Sequence, residues 1–293
     1  MSIFKGSGVA LVTPFNTDGT INYEIFGKLI DYHISEGTDA IIVCGTTGEA
    51  STLTDKEQTE SVRFAAKYAN GRVPIIAGAG SNDTAHGVNL CQGCEEAGAD
   101  ALLLVTPYYN RATPKGLVSH YTKLAESVKI PVILYSVKSR TGVNIEPGTV
   151  AELAKVPNIA AIKEASGNIG QIAQIAALCG DAIDIYSGND DQILPILSLG
   201  GIGVISVAAN IVPKDVHELV ATFLEGDIKA SQQYQLKLIP LVKQLFNEVN
   251  PIPVKAAMRL LGYDVGGYRL PLCEPEEANL KLLREAMQNY GLL

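Results

Sequence analysis

Short apolar runs rich in β-branched residues alternate along the chain with longer stretches that have helical periodicity. Eight of these runs have strand length, and the gaps between them leave room for a helix each time. The predicted strands are Val9–Thr13, Ala40–Val43, Pro74–Ala77, Ala101–Val105, Pro131–Tyr135, Ile159–Lys163, Ile183–Ser187 and Gly203–Val207. They are apolar throughout rather than alternating, which is typical of parallel strands that are buried on both faces.

Amphipathic stretches fill the gaps between the predicted strands. Tyr23–Glu36 and Asp83–Ala97 carry apolar residues at helical spacing. Thr54–Asn70 begins with Thr54 and has Glu57 three residues on, which is the spacing of a capping box. Eight strand–helix units predict an α/β fold, specifically a (β/α)8 TIM barrel. A doubly wound open sheet is the alternative, although no G-x-G-x-x-G sequence follows the first strand.

Helical periodicity continues after the eighth unit without another strand. Ile228–Glu248, Ile252–Leu261 and Glu274–Gln288 predict three more helices. We therefore expect a (β/α)8 catalytic barrel over residues 1–225 and a C-terminal three-helix domain over residues 226–293. No low-complexity linker separates the two, so the extension should pack on the barrel.

Composition and charge narrow the class of protein. Of the 293 residues 47% are hydrophobic and 18% are charged, which suits a globular core and excludes a disordered chain. The net charge of −8 argues against a nucleic-acid partner. No apolar run reaches the roughly 18 residues of a membrane span, and the first residues lack the pattern of a signal peptide, so we expect a cytoplasmic protein. Cys91 and Cys94 fall in a helical pattern and should be core residues rather than metal ligands.

The catalytic groups of a (β/α)8 barrel lie at the C-terminal ends of its strands. Lys163 closes an apolar strand, where a partly desolvated ammonium loses its proton more readily. The neutral amine is the nucleophile that forms a Schiff base with a ketone. From position alone, a structural ion pair with Glu49 or Glu164 explains this lysine equally well.

Other polar strand ends should lie around Lys163. Gly45–Gly48 is a small-residue turn whose N–H groups and two hydroxyls suit a small carboxylate, although an ordinary tight loop has the same sequence. Tyr108, Tyr109 and Tyr135 follow strands 4 and 5 and suggest proton transfer, or simply buried aromatic residues. Arg140 has the planar fork that binds a second carboxylate, although most loop arginines are merely solvated.

Metal and phosphate chemistry have weak support. The four histidines, at positions 33, 86, 120 and 217, lie in helical patterns, whereas a metal-dependent hydrolase on a barrel needs ligands at strand ends. Asp190 and Asp191 follow strand 7 and would repel phosphate where barrels usually bind it. We therefore expect no metal, no pyridoxal phosphate and no other cofactor.

Five motifs, in order along the chain, carry a resemblance to a known family. They are GTTGE at 45–49, TPYYN at 106–110, Y-x-x-x-x-R-T-G at 135–142, IKEASGN at 162–168 and SGNDD at 187–191. Together they resemble the 4-hydroxy-tetrahydrodipicolinate synthase (dihydrodipicolinate synthase) family. That family belongs to the pyruvate-dependent class I aldolase superfamily, which includes N-acetylneuraminate lyase. The resemblance covers essentially the whole chain, including NPIPVK at 250–255 and RLPL at 269–272.

The resemblance implies a lyase that condenses pyruvate with L-aspartate 4-semialdehyde in diaminopimelate and lysine biosynthesis. Lys163 would form the Schiff base with pyruvate, so that no separate cofactor is needed. Thr46 and Thr47 would hold the pyruvate carboxylate. Thr47, Tyr135 and Tyr109 would form a proton relay, with Tyr109 reaching the site of a neighbouring subunit. The family implies a homotetramer built from tight dimers, although some members are dimers.

The resemblance also assigns the second half of the pocket. Arg140 would bind the carboxylate of L-aspartate 4-semialdehyde, and Gly188 with the carbonyl group of Ile205 would complete the site. The chain has Ser136 and Lys138 where the family usually has asparagine and proline, so the Arg140 loop lacks a φ angle fixed by proline.

A separate regulatory site of the family departs from its usual pattern. Members that lysine inhibits commonly have histidine and glutamate at the positions of Gln58 and His86, whereas Asn82 and Tyr108 match. The resemblance therefore does not imply inhibition by lysine.

Three other functions compete with this interpretation. The nearest is another pyruvate-dependent aldolase that cleaves N-acetylneuraminate or a 2-keto-3-deoxy sugar acid. Arg140 distinguishes this aldolase from the synthase, because a short substrate with its own carboxylate needs a guanidinium, whereas a polyol needs hydroxyl-binding groups. The other two alternatives belong to different functional classes: a metal-dependent barrel hydrolase and a non-enzymatic binding protein.

Overall fold

Eight parallel strands close into a barrel in the computed structural model, which describes residues 2–293. Each strand pairs with the next along the chain, and the last pairs with the first, in the order β1 to β8. The strands are β1 (Gly6–Ala10), β2 (Ala40–Val43), β3 (Ile75–Gly78), β4 (Ala101–Val105), β5 (Val132–Ser136), β6 (Ile159–Glu164), β7 (Asp184–Ser187) and β8 (Gly203–Ser206). The predicted (β/α)8 barrel is confirmed, and the open-sheet alternative is wrong.

Twelve helices follow or extend the strands within the described residues. They are α1 (Tyr23–Ser35), α2 (Asp55–Ala69), α3 (Thr84–Glu96), α4 (Pro114–Ala125), α5 (Lys138–Thr141), α6 (Pro147–Leu153), α7 (Ile169–Cys179), α8 (Ile193–Leu197), α9 (Pro213–Leu224), α10 (Ile228–Leu245), α11 (Ile252–Leu260) and α12 (Glu277–Tyr290). The capping box at the start of α2 is confirmed, because Thr54 and Glu57 each bond the other's backbone N–H. The ends of α10, α11 and α12 lie within three residues of the ends that the sequence predicts. The division into a barrel domain and a C-terminal domain at residue 225 stays a prediction.

The first predicted strand was misplaced. The apolar run suggested Val9–Thr13, but β1 spans Gly6–Ala10 and so ends three residues earlier. The run continues past the strand because the next residues are buried under the C-terminal segment, where the Phe15 N–H donates to the Val265 carbonyl at 3.1 Å. Burial makes a residue apolar whether or not it lies in a sheet, so the pattern could not locate this strand end.

Alternate residues of each strand fill two separate layers of core. Ile42 and Ile76 belong to the cluster inside the barrel, whereas their neighbours Ile41 and Ile75 belong to the layer under the helices. Successive side chains of a strand point to opposite faces, and here both faces are buried, which explains the uniformly apolar runs. The interior is therefore packed, and space for a ligand remains only where the strands end.

A buried ion pair connects the barrel to the C-terminal helices. Lys255 of α11 lies 2.8 Å from a carboxylate oxygen of Glu49, and both side chains are completely buried. The ammonium also donates to the Thr13 carbonyl at 3.2 Å and lies 4.4 Å from the centre of the Phe15 ring. Desolvation by burial lowers the pKa of Lys255, and the Glu49 carboxylate opposes that shift.

We expect the Lys255→Met substitution to destabilise the protein strongly. Removing one partner of a buried pair leaves the other charge uncompensated, which costs about 3–5 kcal/mol. Urea unfolding followed by circular dichroism measures this loss. Lys155→Met is the matched control, because its ion pair with Glu152 leaves 71% and 55% of the two side chains exposed, and such pairs contribute at most about 1 kcal/mol. Equal losses in the two variants would contradict the structural role given to Lys255.

Candidate active site

A cavity of about 490 Å³ opens at the C-terminal ends of the strands. Residues from the barrel strands form its floor, and the loops after those strands form most of its wall. Its polar lining residues are Thr46, Thr47, Tyr135, Ser139, Arg140, Lys163, Asn189, Glu248 and Asn250. The structure thus places Lys163 and five other residues of the predicted site, Thr46, Thr47, Tyr135, Arg140 and Gly188, around one space.

Lys163 points into the barrel and has no carboxylate partner. Only 4% of the residue is exposed, and its ammonium lies 4.4 Å from the centre of the Tyr135 ring. The alternative that Lys163 forms a structural ion pair with Glu49 or Glu164 is wrong. Glu49 pairs with Lys255, and Glu164 lies on the opposite face of β6, so Lys163 forms no salt bridge within residues 2–293.

Strand alternation separates Lys163 from its acidic neighbour. Glu164 faces the helices, where its carboxylate accepts hydrogen bonds from the Ser166 N–H at 2.6 Å and from the Gln171 amide at 2.9 Å. Burial raises the pKa of Glu164. The acid therefore serves the packing of α7, and the amine of Lys163 remains available to a ligand.

The Gly45–Gly48 turn after β2 brings its two threonines to the cavity. Cys44 before the turn and Glu49 after it both have positive φ angles, of 56° and 55°. A Cβ on Gly48 would lie 3.1 Å from the Leu11 carbonyl oxygen, so the turn has little room for a side chain there. Thr47 is buried and its hydroxyl oxygen accepts a hydrogen bond from the Asn250 side chain at 3.0 Å.

Tyr135 and Gly188 lie on either side of Lys163. Tyr135 is the cross-strand partner of Lys163 on β5, so their side chains are at the same height in the barrel. Gly188 directly follows β7, and a Cβ there would lie 2.7 Å from the Ala165 Cβ and 3.2 Å from the Lys163 Cε. The glycine thus leaves space for the lysine side chain. No hydrogen bond joins Thr47 to Tyr135 in residues 2–293, so the relay stays a prediction.

Arg140 stands at the mouth of the cavity on the short helix α5. It is exposed, and one guanidinium nitrogen donates to the Asn250 carbonyl at 3.1 Å. Although Lys138 replaces the usual proline, Gly142 ends α5 with a φ angle of 71° and its N–H bonds the Lys138 carbonyl. The loop is therefore formed by local hydrogen bonds.

The sequence of the whole chain is similar to those of known proteins. The sequence profile of the Dihydrodipicolinate synthetase family matches residues 3–290. The chain belongs to the dihydrodipicolinate synthetase family. A curated relative from Thermoanaerobacter sp. (strain X514), named 4-hydroxy-tetrahydrodipicolinate synthase, is 56% identical over 294 residues, covering 100% of this chain and 99% of the relative.

Solved structures of the family have the same fold as this chain. The dihydrodipicolinate synthase from Aquifex aeolicus is 45% identical, with a TM-score of 0.96 and coverage of 99% of both chains. The chloride-inhibited dihydrodipicolinate synthase from Acinetobacter baumannii, complexed with pyruvate, is 41% identical, with a TM-score of 0.96 and coverage of 99% of both chains. Such agreement over the full length confirms the resemblance drawn from the five motifs.

Two predicted site residues of this dihydrodipicolinate synthetase family member lie outside the cavity. Tyr109 is 91% exposed and has a φ angle of 72°. Ile205 is fully buried on β8, and Val207 is the residue near that strand end that lines the cavity. The roles expected for Tyr109 and for the Ile205 carbonyl stay predictions.

Asp190 does not face the cavity mouth as an exposed acid. It is buried, and one carboxylate oxygen accepts hydrogen bonds from the backbone N–H groups of Val207 and Ala208, at 3.0 and 2.9 Å. Burial raises the pKa of Asp190. This acid anchors the loop after β8, and only Asp191 is exposed where the sequence suggested that two acids repel anions.

The C-terminal extension contributes a wall of the cavity that was not predicted from the sequence. Phe246, Glu248, Val249 and Asn250 lie between α10 and α11 and line it. The search for polar strand ends could not find them because they follow a helix. The only signal was the NPIPVK segment at 250–255, which the family resemblance marked without a role.

The predicted structural residues of this family member lie where the sequence suggested. The four histidines, at positions 33, 86, 120 and 217, are in α1, α3, α4 and α9, and Cys91 and Cys94 are buried in α3. No group of three or more histidine, cysteine, aspartate or glutamate side chains in residues 2–293 could hold a metal ion. Within the same residues, no helix is both long and apolar enough to cross a membrane.

The four positions that the resemblance linked to inhibition by lysine, 58, 82, 86 and 108, do not line the cavity. Gln58 is buried, and its amide donates to the Ala50 carbonyl at 3.1 Å. A ring nitrogen of His86 lies 3.0 Å from an Asp55 carboxylate oxygen. Asn82 donates to a backbone carbonyl, that of Tyr108, at 3.2 Å.

Proposed function

We propose that the chain is a 4-hydroxy-tetrahydrodipicolinate synthase, which joins pyruvate to L-aspartate 4-semialdehyde. One observation carries the proposal: a buried lysine without a carboxylate partner, Lys163, lies in a cavity beside a turn that suits a carboxylate. The curated relative at 56% identity has this name, and a family structure contains pyruvate.

The first half of the reaction uses pyruvate alone. The neutral amine of Lys163 attacks the keto carbon, and the resulting carbinolamine loses water to give the Schiff base. Thr46 and Thr47 hold the carboxylate of pyruvate with hydroxyl and backbone donors. The protonated imine withdraws electrons from the methyl carbon, so the enzyme needs no separate cofactor to make that carbon acidic.

The second half forms the carbon–carbon bond. Loss of a methyl proton gives an enamine, whose terminal carbon attacks the aldehyde carbon of L-aspartate 4-semialdehyde, and the aldehyde oxygen gains a proton. The amino group of the adduct then attacks the imine carbon and displaces the Lys163 amine, which releases the cyclic product and restores the free lysine. Thr47, Tyr135 and Tyr109 carry protons between the site and solvent. Arg140 orients the semialdehyde through its carboxylate, supported by the position of its guanidinium at the cavity mouth. Gly188 and the Ile205 carbonyl complete the pocket.

We further propose that the active form is a homotetramer of tight dimers in the cytoplasm. The exposure of Tyr109 supports the assembly, because 91% of a large aromatic residue faces solvent outside the cavity of its own chain. A neighbouring subunit would cover it and receive its hydroxyl. Diaminopimelate and lysine biosynthesis then supplies the semialdehyde and consumes the product.

Borohydride trapping with pyruvate should label Lys163 alone. Reduction of the Schiff base leaves a three-carbon adduct that peptide mass spectrometry locates. Lys163→Ala should abolish the adduct and lower kcat by several orders of magnitude, because it removes the nucleophile itself. Lys155→Ala, which changes an exposed lysine far from the cavity, should keep both the adduct and the rate. An adduct on another lysine would contradict the assignment.

Mixed dimers should reveal whether Tyr109 serves a neighbouring site. Lys163→Ala and Tyr109→Phe subunits should each have low activity, and a hybrid dimer should regain part of it because one of its two sites has both residues intact. Subunit exchange is followed by native mass spectrometry with one variant isotopically labelled. Proven exchange without any regained activity would place Tyr109 in the site of its own chain.

Arg140→Ala should weaken the binding of the semialdehyde far more than the binding of pyruvate. Losing a hydrogen bond to a charged group costs about 1.5–3 kcal/mol, which is roughly 10- to 150-fold in affinity. Steady-state kinetics with each substrate varied in turn measure the two effects, and borohydride trapping of pyruvate should persist. Lys138→Ala is the matched control on the same helix, since Lys138 does not line the cavity. Equal weakening of both substrates would make Arg140 a structural residue.

A further inference from the structure

Asn250 contacts two other residues that line the cavity, Thr47 and Arg140. It lies just before α11, is only 4% exposed and lines the cavity. Its side-chain nitrogen donates to the Thr47 hydroxyl at 3.0 Å, and its backbone carbonyl accepts from Arg140 at 3.1 Å. One residue therefore contacts both the threonine proposed for pyruvate and the arginine proposed for the second substrate.

The side-chain oxygen of Asn250 is buried and has no hydrogen-bond partner among residues 2–293. A buried acceptor without a partner costs about 1–3 kcal/mol, and the large majority of buried polar groups in native proteins are paired. In the structure the amide nitrogen faces the Thr47 hydroxyl, which leaves the oxygen on the other side of the amide as the atom without a partner. Such a group is explained when a ligand supplies the donor.

The two proposed substrates differ in what they can donate. Pyruvate has carboxylate and carbonyl oxygens, which only accept hydrogen bonds. L-aspartate 4-semialdehyde has an amino group on the same carbon as the carboxylate that Arg140 would hold. Since Arg140 bonds the Asn250 backbone carbonyl, a carboxylate held by that guanidinium, and the amino group beside it, would lie near Asn250.

We infer that Asn250 is a specificity-determining residue whose side-chain oxygen accepts a hydrogen bond from the amino group of the second substrate. The inference rests on the proposed function, because it names a group of the semialdehyde. Asn250 and Arg140 together then recognise an α-amino acid, one through its nitrogen and the other through its carboxylate. Aldehydes that lack the amino group leave the acceptor unpaired and bind less well.

Glu248 is the other acceptor near this place. It also lines the cavity, but one of its carboxylate oxygens already accepts from the Glu276 N–H and from the Asn279 side chain, both at 2.9 Å. These bonds tie Glu248 to the start of α12. Of these two residues, Asn250 is the one whose side-chain oxygen is buried without a partner among residues 2–293.

The test compares L-aspartate 4-semialdehyde with 4-oxobutanoate, the same aldehyde acid without the amino group. For the unmodified protein, Asn250→Ala, Asn250→Asp and the control Asn247→Ala, the KM of the semialdehyde and the inhibition constant of 4-oxobutanoate are measured at saturating pyruvate. The Asn247 side chain bonds the Asn279 carbonyl at 3.2 Å and does not line the cavity. Changes at Thr47 and Arg140 affect both compounds and cancel in the ratio of the two constants. The ratio therefore isolates the contact with the amino group.

We expect Asn250→Ala to reduce the preference for the amino compound by about 10- to 150-fold. Asn250→Asp keeps an acceptor and adds a negative charge, so the preference should be at least that of the unmodified protein. Asn247→Ala should leave it unchanged. Thermal melting followed by circular dichroism verifies that each variant folds.

Several outcomes would overturn the inference while leaving the proposed function intact. They are an unchanged preference in Asn250→Ala, a lost preference in Asn250→Asp, or an equal loss in Asn247→Ala. Failure of the unmodified protein to condense the semialdehyde at all would instead overturn the proposed function, and the inference with it. The first measurement on the unmodified protein separates these two cases.

Discussion

The buried contact between Lys255 and Glu49 determines how the site is assembled. Glu49 directly follows the turn that carries Thr47, and Lys255 lies five residues after Asn250. Glu49 has a φ angle of 55°, a conformation that a side chain adopts only when surrounding contacts maintain it. The ion pair supplies such a contact and, at the same time, fixes α11 against the barrel.

A second constraint comes from the alternation of side chains along β6. Lys163 and Glu164 are adjacent in sequence and oppositely charged, yet one faces the cavity and the other faces α7. A shift of one residue in the register of this strand would exchange them and place an acid where the amine must be. The eight-fold closure of the barrel prevents that shift, because β6 is paired on both sides.

The sequence predicted the parts of the fold and site that depend on local pattern. Ala40–Val43 is a strand with those ends, and Lys163 was found because it closes an apolar run. The pattern did not predict the true end of β1, because buried residues continue past the strand. It did not predict the contact of Asn250 with Thr47, because Asn250 precedes a helix that is distant in sequence. The burial of Asp190 depends on backbone donors after β8 that no spacing reveals.

The strands and the segments outside the sheet position different residues of the site. The strands place Lys163 rigidly, since its neighbours on both sides belong to the closed barrel. The loop with Arg140 and the segment with Asn250 meet through a single hydrogen bond at the cavity mouth, outside that closed sheet. Asn250 also bonds the Thr47 hydroxyl, so the C-terminal extension contacts both the turn after β2 and the Arg140 loop. The closed barrel fixes the position of Lys163, and the C-terminal extension joins the two polar parts of the cavity wall.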